Sequence, residues 1–145
     1  MKRKPLARIE KSILDISGKR ALVTGASAGL GQHFAEVLAA HGAHVTLAAR
    51  RVSALETICR SIIARGGSAC MAHLDVTDEA SIAALFSTNE PFDIVINNAG
   101  INQPKRALEM SGKDWDDVMN TNLRGVFLVA RDAARILKAS GKAAP

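Results

Sequence analysis

Short apolar segments and longer amphipathic segments alternate four times along this chain. The apolar segments have the length of buried strands, and the amphipathic ones carry apolar residues at helical spacing. The pattern predicts strands at about 20–24, 44–49, 68–74 and 93–96, and helices at about 29–41, 52–65, 78–87 and 112–139. Such alternation predicts an α/β fold, in which a parallel sheet carries helices on both faces and the crossovers are right-handed.

The predicted helix 112–139 contains one polar position that its pattern does not explain. Ser111 and Asp114 have the spacing of a capping box at its start. Asn122 lies on the apolar stripe of this helix, and a buried amide must find hydrogen-bond partners. From the residues alone, a core polar role and a functional role for Asn122 both stay open. The stripe predicts a buried face made of Trp115, Val118, Met119, Val126, Ala130, Ala133 and Leu137.

The turn between the first predicted strand and the first predicted helix is rich in glycine. Gly25 follows the strand directly, and Gly29 and Gly31 stand where the helix begins. A helix N-terminus presents unpaired backbone N–H groups that favour an anion such as a pyrophosphate, and glycines leave room for it. No Lys-Ser or Lys-Thr follows, which excludes a nucleoside-triphosphate loop. The turn predicts a dinucleotide cofactor site, and an ordinary turn without a ligand is the alternative.

Net charge does not indicate a nucleic-acid partner. The whole excess of +5 comes from residues 1–20, because the remainder carries equal numbers of basic and acidic residues. This uneven distribution predicts a solvated basic arm at 1–16, a dinucleotide-binding domain at 17–140 and a tail at 141–145. We expect no binding to nucleic acid, since the charge lies in the arm and not on one face of the domain.

Membrane and metal sites are not expected either. No apolar run approaches the ~20 residues of a membrane span, and the basic start is not followed by the apolar stretch of a secretory signal. Cys59 and Cys70, on a predicted helix and a predicted strand, fit reduced thiols. We therefore expect a cytoplasmic protein without a metal.

Four motifs, in the same order, resemble those of the short-chain dehydrogenase/reductase family of nicotinamide oxidoreductases. Residues 24–31 match its Thr-Gly-x-x-x-Gly-x-Gly loop, and residues 97–100 match its Asn-Asn-Ala-Gly segment. Residues 74–76 are similar to the segment whose Asp contacts the adenine ring, and residues 115–127 are similar to its fourth helix. The resemblance covers residues 17–137 and implies hydride transfer between a nicotinamide cofactor and a carbonyl or alcohol substrate.

The resemblance also implies a sheet order and a set of site residues. The implied fold is a Rossmann-type doubly wound parallel sheet with strand order 3-2-1-4, whose later C-terminal strands are missing from this chain. Asn122 takes the position of the family's catalytic Asn. The residues implied to bind the cofactor are Thr24, Gly25, Ser27, Gly29, Leu30, Gly31, Arg50, Arg51, Asp75, Val76, Asn98, Ala99 and Gly100.

Two arginines at the end of the second strand favour NADP(H) over NAD(H). An acidic residue about 20 positions past the glycines would hydrogen-bond the ribose 2′-OH of NAD. Arg50 and Arg51 stand there instead, and a guanidinium binds phosphate through paired charge-assisted bonds. Arg50 is the stronger candidate. Ala28 argues for NAD, because many NADP-using relatives carry a basic residue at that position.

The chain departs from the family in its proton donor. Relatives use a Tyr as general acid, a Lys four positions later and an upstream Ser, and this sequence contains no tyrosine. A missing proton donor lowers the rate by roughly 10²–10⁴-fold, so we expect residues 1–145 alone to be inactive without a complementing C-terminal segment. The alternative interpretation is a non-enzymatic module that binds a dinucleotide and acts as a scaffold.

Missing strands predict uncovered apolar surface. Strand 93–96 would stay at an edge of the sheet, and some of Leu123, Phe127 and Leu128 would be exposed. In relatives the helix that corresponds to 112–139 helps to build the subunit interface. The resemblance therefore implies a homo-oligomer.

Overall fold

The computed structural model describes residues 15–141. The predicted arm and tail fall almost entirely outside the described residues, so the division into arm, domain and tail stays a prediction. The described part has the expected alternation, with the bounds β1 Arg20–Thr24, α1 Gly29–Ala40, β2 His44–Ala49, α2 Glu56–Ala64, β3 Ser68–His73, α3 Glu79–Ser87, β4 Ile94–Ile96, α4 Gly112–Met119 and α5 Gly125–Ala139.

The strands form one parallel sheet in the order β3-β2-β1-β4, which confirms the predicted Rossmann-type strand order. Leu22 of β1 pairs with Thr46 of β2 on one side and with Val95 of β4 on the other. Thr46 pairs in turn with Cys70 of β3. The carboxyl ends of the strands therefore meet at one edge of the sheet, where the loops that follow them can build a common site.

Both faces of the sheet are covered by helices, which explains why its central strands β1 and β2 are largely buried. On one face, Val23 and Leu47 pack with Ala35 of α1 and Ile62 of α2. On the other face, Leu22 packs with residues of α3 and α5, namely Ile82, Leu85, Phe86, Leu128 and Val129. Burial of each large apolar side chain stabilises the fold by about 1.5–3 kcal/mol.

The strand β4 forms an edge of the sheet, as the sequence predicts. Within residues 15–141 it pairs with β1 alone, and its residues Ile94–Ile96 are only half-buried. An apolar edge strand of this kind presents unpaired backbone groups and favours association with another strand.

The predicted helix 112–139 is confirmed at both ends, but its middle departs from a regular α-helix. One turn of π-helix at Asn120–Arg124, here called the π-turn, joins α4 to α5. Such turns are rare and occur frequently at functional sites. The predicted capping box at the start of α4 is confirmed, since Ser111 Oγ accepts a hydrogen bond from Asp114 N and the Asp114 carboxylate accepts one from Ser111 N.

The predicted buried stripe of this helix is wrong, because its residues are half-buried or exposed. Trp115 is 57% exposed, and the buried residues of α5 are Gly125, Leu128 and Val129. A Cβ on Gly125 would lie only 2.9 Å from Val76 Cγ2, so the glycine permits a close approach that brings Leu128 and Val129 onto the sheet. A pattern of apolar side chains takes no account of a contact made by a glycine.

Apolar exposure on the same helices agrees with the expectation. Leu123 and Phe127 are 61% and 60% exposed, as the sequence predicts. Leu128, the third of these residues, is 3% exposed because it packs against α3 and the sheet, so the expectation that some of the three are exposed is confirmed.

Candidate functional site

A cleft of ≈ 420 Å³ opens at the carboxyl edge of the sheet. The turn between β1 and α1 forms one wall, and the loops that follow β2, β3 and β4 form the others. The sheet order reverses between β1 and β4, and ligands of open α/β sheets bind in the crevice outside such a switch point. The position of the cleft therefore fits a bound nucleotide.

Thr24 connects the ends of β1 and β4 beneath this cleft. Its buried Oγ1 donates to Ile96 O at 3.3 Å and accepts from the backbone N–H groups of Asn98 and Ala99, each at 3.0 Å. Asn98 Nδ2 donates in return to Thr24 O at 3.1 Å and to Gly25 O at 3.2 Å. These bonds join the two strand ends, so the floor of the cleft is held in one arrangement.

The three glycines of the first turn are required for two different structural reasons. A Cβ on Gly25 would lie 2.8 Å from Ala99 Cα, and one on Gly31 would lie 2.4 Å from Gly25 O. Both positions therefore need glycine for close packing of the turn. Gly29 has φ +58°, and nothing lies within 4 Å of the place where its Cβ would be. This glycine keeps the entrance of α1 open.

The N-terminus of α1 has no cap of its own. Ala28 stands at the N-cap position with extended backbone, makes no side-chain cap hydrogen bond, and is followed by a first turn without acidic residues. The first N–H groups of a helix need acceptors from outside it, and the helix dipole favours a negative one. The arrangement fits the diphosphate of a dinucleotide, whose oxygens would accept these bonds.

Positive charge lies on the neighbouring wall. Arg50 and Arg51 follow the last residue of β2, are exposed, and line the cleft. Asp75 lines the cleft after β3, where its Oδ1 accepts from Thr77 N at 2.9 Å and from Thr77 Oγ1 at 2.7 Å. Burial acts to raise the pKa of Asp75, but the Thr77 hydrogen bonds and the nearby Arg50 charge together hold it below its usual value. Asp75 is therefore an acceptor at neutral pH.

Asn122 lies beside the cleft in the π-turn. Its Oδ1 accepts from Ile101 N at 2.8 Å, and its Nδ2 donates to Ile101 O at 2.9 Å. The amide is exposed, so the expectation of a buried amide is wrong, although the predicted need for partners is met by the Ile101 backbone. A Cβ on Gly100 would lie 3.2 Å from Asn122 Oδ1, so the glycine permits this contact.

A family model described as short chain dehydrogenase matches residues 19–144 of the chain. The chain belongs to the short-chain dehydrogenase family.

Three similar proteins illustrate the match to this family. Gluconate 5-dehydrogenase of Gluconobacter oxydans (strain 621H) is 42% identical over 134 residues, which cover 90% of this chain and 52% of that protein. A solved short-chain type dehydrogenase/reductase from Mycobacterium marinum has a TM-score of 0.85 and 37% identity, over 89% of this chain and 52% of that one. A metagenomic short-chain oxidoreductase in complex with NADP has a TM-score of 0.80 and 34% identity, over 87% and 59%. The chain spans about half the length of these relatives.

Most of the residues that the family resemblance implies as cofactor-binding line the cleft. The exceptions are Thr24 at the end of β1 and Gly29 and Gly31 at the start of α1; the predicted catalytic Asn122 does not line the cleft but is bonded to the backbone of Ile101, which does. The residues implied by resemblance that do line it are Gly25, Ser27, Leu30, Arg50, Arg51, Asp75, Val76, Asn98, Ala99 and Gly100.

Several lining residues are not among those predicted. Ala28, Ala49, Leu74 and Thr77 adjoin predicted residues in sequence, and their place at the carboxyl ends of the strands is the signal that could have found them. Thr121 also lines the cleft, and no local pattern indicates it because the π-turn that places it depends on distant contacts.

Residues 15–141 contain neither a cluster of metal ligands nor a membrane-spanning helix. No group of three or more His, Cys, Asp or Glu side chains in this range is arranged to hold a metal ion. No helix in it is long and apolar enough to cross a membrane.

Proposed function

We propose that this chain is the NADP(H)-binding part of a short-chain dehydrogenase, which transfers a hydride between nicotinamide and a carbonyl or alcohol substrate. The observation that carries the proposal is the cleft at the sheet switch point, where an uncapped helix N-terminus faces open space beside two arginines. The coenzyme, when bound, supplies or accepts the hydride. The residues of this chain bind and orient it.

Each part of the coenzyme has matching residues in the cleft. The N–H groups at the start of α1, with Ser27 and Leu30 beside them, would hold the diphosphate. Asp75 and Val76 would contact the adenine, and the segment 98–100 would form the wall next to the nicotinamide. These roles follow the family resemblance, and the positions of the residues around one cleft support them.

Arg50 and Arg51 make NADP(H) the preferred coenzyme. Both arginines line the cleft after β2, on the side where the ribose 2′-phosphate of NADP(H) would lie, and their positive charge would attract it. The relative that is solved in complex with NADP supports this preference at the level of the family.

Asn122 is the residue of this chain that we assign to the catalytic machinery. The chain has no tyrosine to act as the proton donor of the family. We infer that residues 1–145 bind coenzyme without turnover, and that a complementing C-terminal segment with Tyr-x-x-x-Lys completes the enzyme. The edge strand β4, half-buried and paired with β1 alone among the described strands, supports such a segment.

We also propose that the protein forms a homo-oligomer whose interface lies on residues 112–139. Large apolar side chains are exposed on α4, the π-turn and α5, namely Trp115, Leu123 and Phe127, and surfaces of this kind mark association sites.

The location that we propose is the cytoplasm. The cysteines Cys59 and Cys70 are both free, which is consistent with it.

The test is a titration of the purified chain with NADPH and with NADH, followed by coenzyme fluorescence. We expect NADPH to bind about ten-fold more tightly, equivalent to about 1.4 kcal/mol, because of the charge-assisted bonds to its 2′-phosphate. Arg50→Gln removes this preference and leaves NADH binding unchanged. Arg60→Gln, which alters an exposed arginine of α2, is the matched control and leaves both affinities unchanged.

The outcomes separate the parts of the proposal. If neither coenzyme binds the folded chain, the proposed function is wrong. If NADH binds as tightly as NADPH, only the coenzyme preference is wrong. Oxidation of NADPH by this chain alone, with carbonyl substrates, would contradict the need for a complementing segment.

A further inference from the structure

A group of ion pairs lies where α3, the π-turn and α5 meet. Glu79, the first residue of α3, accepts a short hydrogen bond from Arg124 Nη2 and one of 3.4 Å from Arg131 Nη2. Arg131 is shared with Asp132, whose Oδ1 accepts from Arg131 Nε at 2.8 Å. Arg124 is the last residue of the π-turn. Glu79 therefore ties the start of α3 to the π-turn.

Close packing joins the same two segments. Gly125 follows Arg124 directly, and a Cβ there would lie 2.9 Å from Val76 Cγ2 and 3.0 Å from Val76 O. Val76 belongs to the loop between β3 and α3, and that loop lines the cleft. The loop and the π-turn thus meet through a packing contact and through the Glu79 ion pairs.

The π-turn carries Asn122 two positions before Arg124. The Asn122 amide is bonded to the backbone N and O of Ile101, 21 residues away in sequence. A shift of the Arg124 end of the turn would move the amide relative to Ile101. Because π-helical turns are rare interruptions of α-helices, we expect contacts from outside the helix, such as those of Arg124, to hold this one in place.

We propose that Glu79 is a positioning residue, whose bonds to Arg124 and Arg131 hold the π-turn against the Val76 loop and so fix the Asn122 amide beside the cleft. The inference rests on the proposed function, because the position of Asn122 affects a reaction only in a hydride-transfer site. Glu79 itself does not line the cleft and acts through the π-turn.

The amide proton of Ile101 tests this directly, since it is donated to Asn122 Oδ1. In the purified chain without coenzyme, we expect Glu79→Gln to raise the hydrogen-exchange rate of the Ile101 amide, measured by NMR, by about two- to five-fold, as the strength of an exposed ion pair allows. The amides of Leu22 and Val23 in β1 serve as internal references and keep their rates. Salt at about 1 M reproduces the effect in the wild type, because it screens exposed ion pairs.

Glu56→Gln is the matched control for this substitution. Glu56 pairs with Arg60 at 3.5 Å on α2, and its side chain is 53% exposed against 51% for Glu79. The charge change and the exposure are therefore alike, and we expect the Ile101 rate to stay at its wild-type value.

Two results would overturn the inference. One is an Ile101 rate in the Glu79→Gln variant equal to that of the wild type. The other is an equal acceleration at Ile101 and in β1, which would indicate loss of overall stability in place of a local effect. The exchange experiment needs no coenzyme, so failure of the wild type to bind NADPH overturns the proposed function and leaves the exchange result standing.

Discussion

Two helices of this fold begin in opposite ways. At the start of α4, Ser111 Oγ accepts from Asp114 N at 3.1 Å and the Asp114 carboxylate accepts from Ser111 N at 2.9 Å. At the start of α1, Ala28 offers no side-chain acceptor, and the first turn contains no acidic residue. The helix α1 is nevertheless regular over 12 residues.

The difference separates a helix end that stabilises the fold from one that is open to a ligand. A side-chain cap contributes about 1 kcal/mol, so the end of α1 lacks stabilisation that an anion bound there would restore. Glycines mark the same contrast. Gly31 in the first turn of α1 leaves no room for a Cβ, whereas at Gly112 in the first turn of α4 nothing lies within 4 Å of a Cβ.

Among substitutions at these two helix ends, we expect Gly31→Ala to have the largest effect on stability and on NADPH binding. The added Cβ would meet Gly25 O at 2.4 Å and Asn98 Nδ2 at 2.5 Å, and both atoms belong to the hydrogen-bonded floor of the cleft. Overpacking of this kind lowers the free energy of unfolding by about 2–3 kcal/mol. Urea unfolding measures this loss, and titration of the folded variant shows that NADPH binding is lost.

Gly112→Ala is the control at the equivalent end of α4. Its Cβ enters open space, and alanine favours a helix, so we expect no loss of stability and unchanged NADPH affinity. Equal stability of the Gly31→Ala variant and the wild type would show that the turn adapts to a side chain and that the contrast has no structural basis.

A smaller effect is expected when a cap is supplied to α1. Ala28→Asp and Ala28→Asn each provide a side-chain acceptor at an extended position, so both raise the free energy of unfolding by about 1 kcal/mol. The two side chains have the same shape and differ in charge. Only the carboxylate repels a diphosphate, and we expect NADPH to bind the Asp variant about ten-fold more weakly than the Asn variant. Equal affinities, measured by fluorescence titration, would place the diphosphate away from this helix end.

The sheet could be predicted from the sequence because its signals are local. The central strands β1 and β2 are largely buried, so they stand out as short apolar runs such as Ala21–Val23. Gly42 and Gly66 end α1 and α2 in the left-handed region, with φ of +87° and +83°, and glycine adopts that conformation at the lowest energy. Strand order then followed from the family resemblance.

The π-turn, the buried face of α5 and the floor of the cleft could not be predicted, because they depend on contacts between distant residues. The π-turn is held by Ile101 and Glu79, which lie 21 and 45 residues from the residues that they contact. The buried face of α5 is set by the contact between Gly125 and Val76. A motif also does not distinguish residues that touch a ligand from those that build the turn, and Thr24 and Gly31 belong to the second kind.

The smallest effect that we expect is the pH dependence of stability that comes from Asp114, in the capping box of α4. Hydrogen bonds from Lys105 Nζ and from the side chain and backbone of Ser111 hold the pKa of Asp114 well below its usual value. Since the folded pKa is depressed, its contribution to stability is complete above the unfolded pKa of about 3.9 and is lost as the pH falls through the folded pKa. Asp114→Asn therefore lowers the free energy of unfolding at neutral pH, and its difference from the wild type shrinks below about pH 4. Urea unfolding of both proteins from neutral pH to below pH 4 measures this difference in unfolding free energy. The titration of other carboxylates such as Asp132 affects both proteins alike and therefore cancels in the difference. NADPH affinity at neutral pH stays unchanged in the variant, because the capped helix end is not the anion site; a weakened affinity would mean that the two helix ends do not act independently.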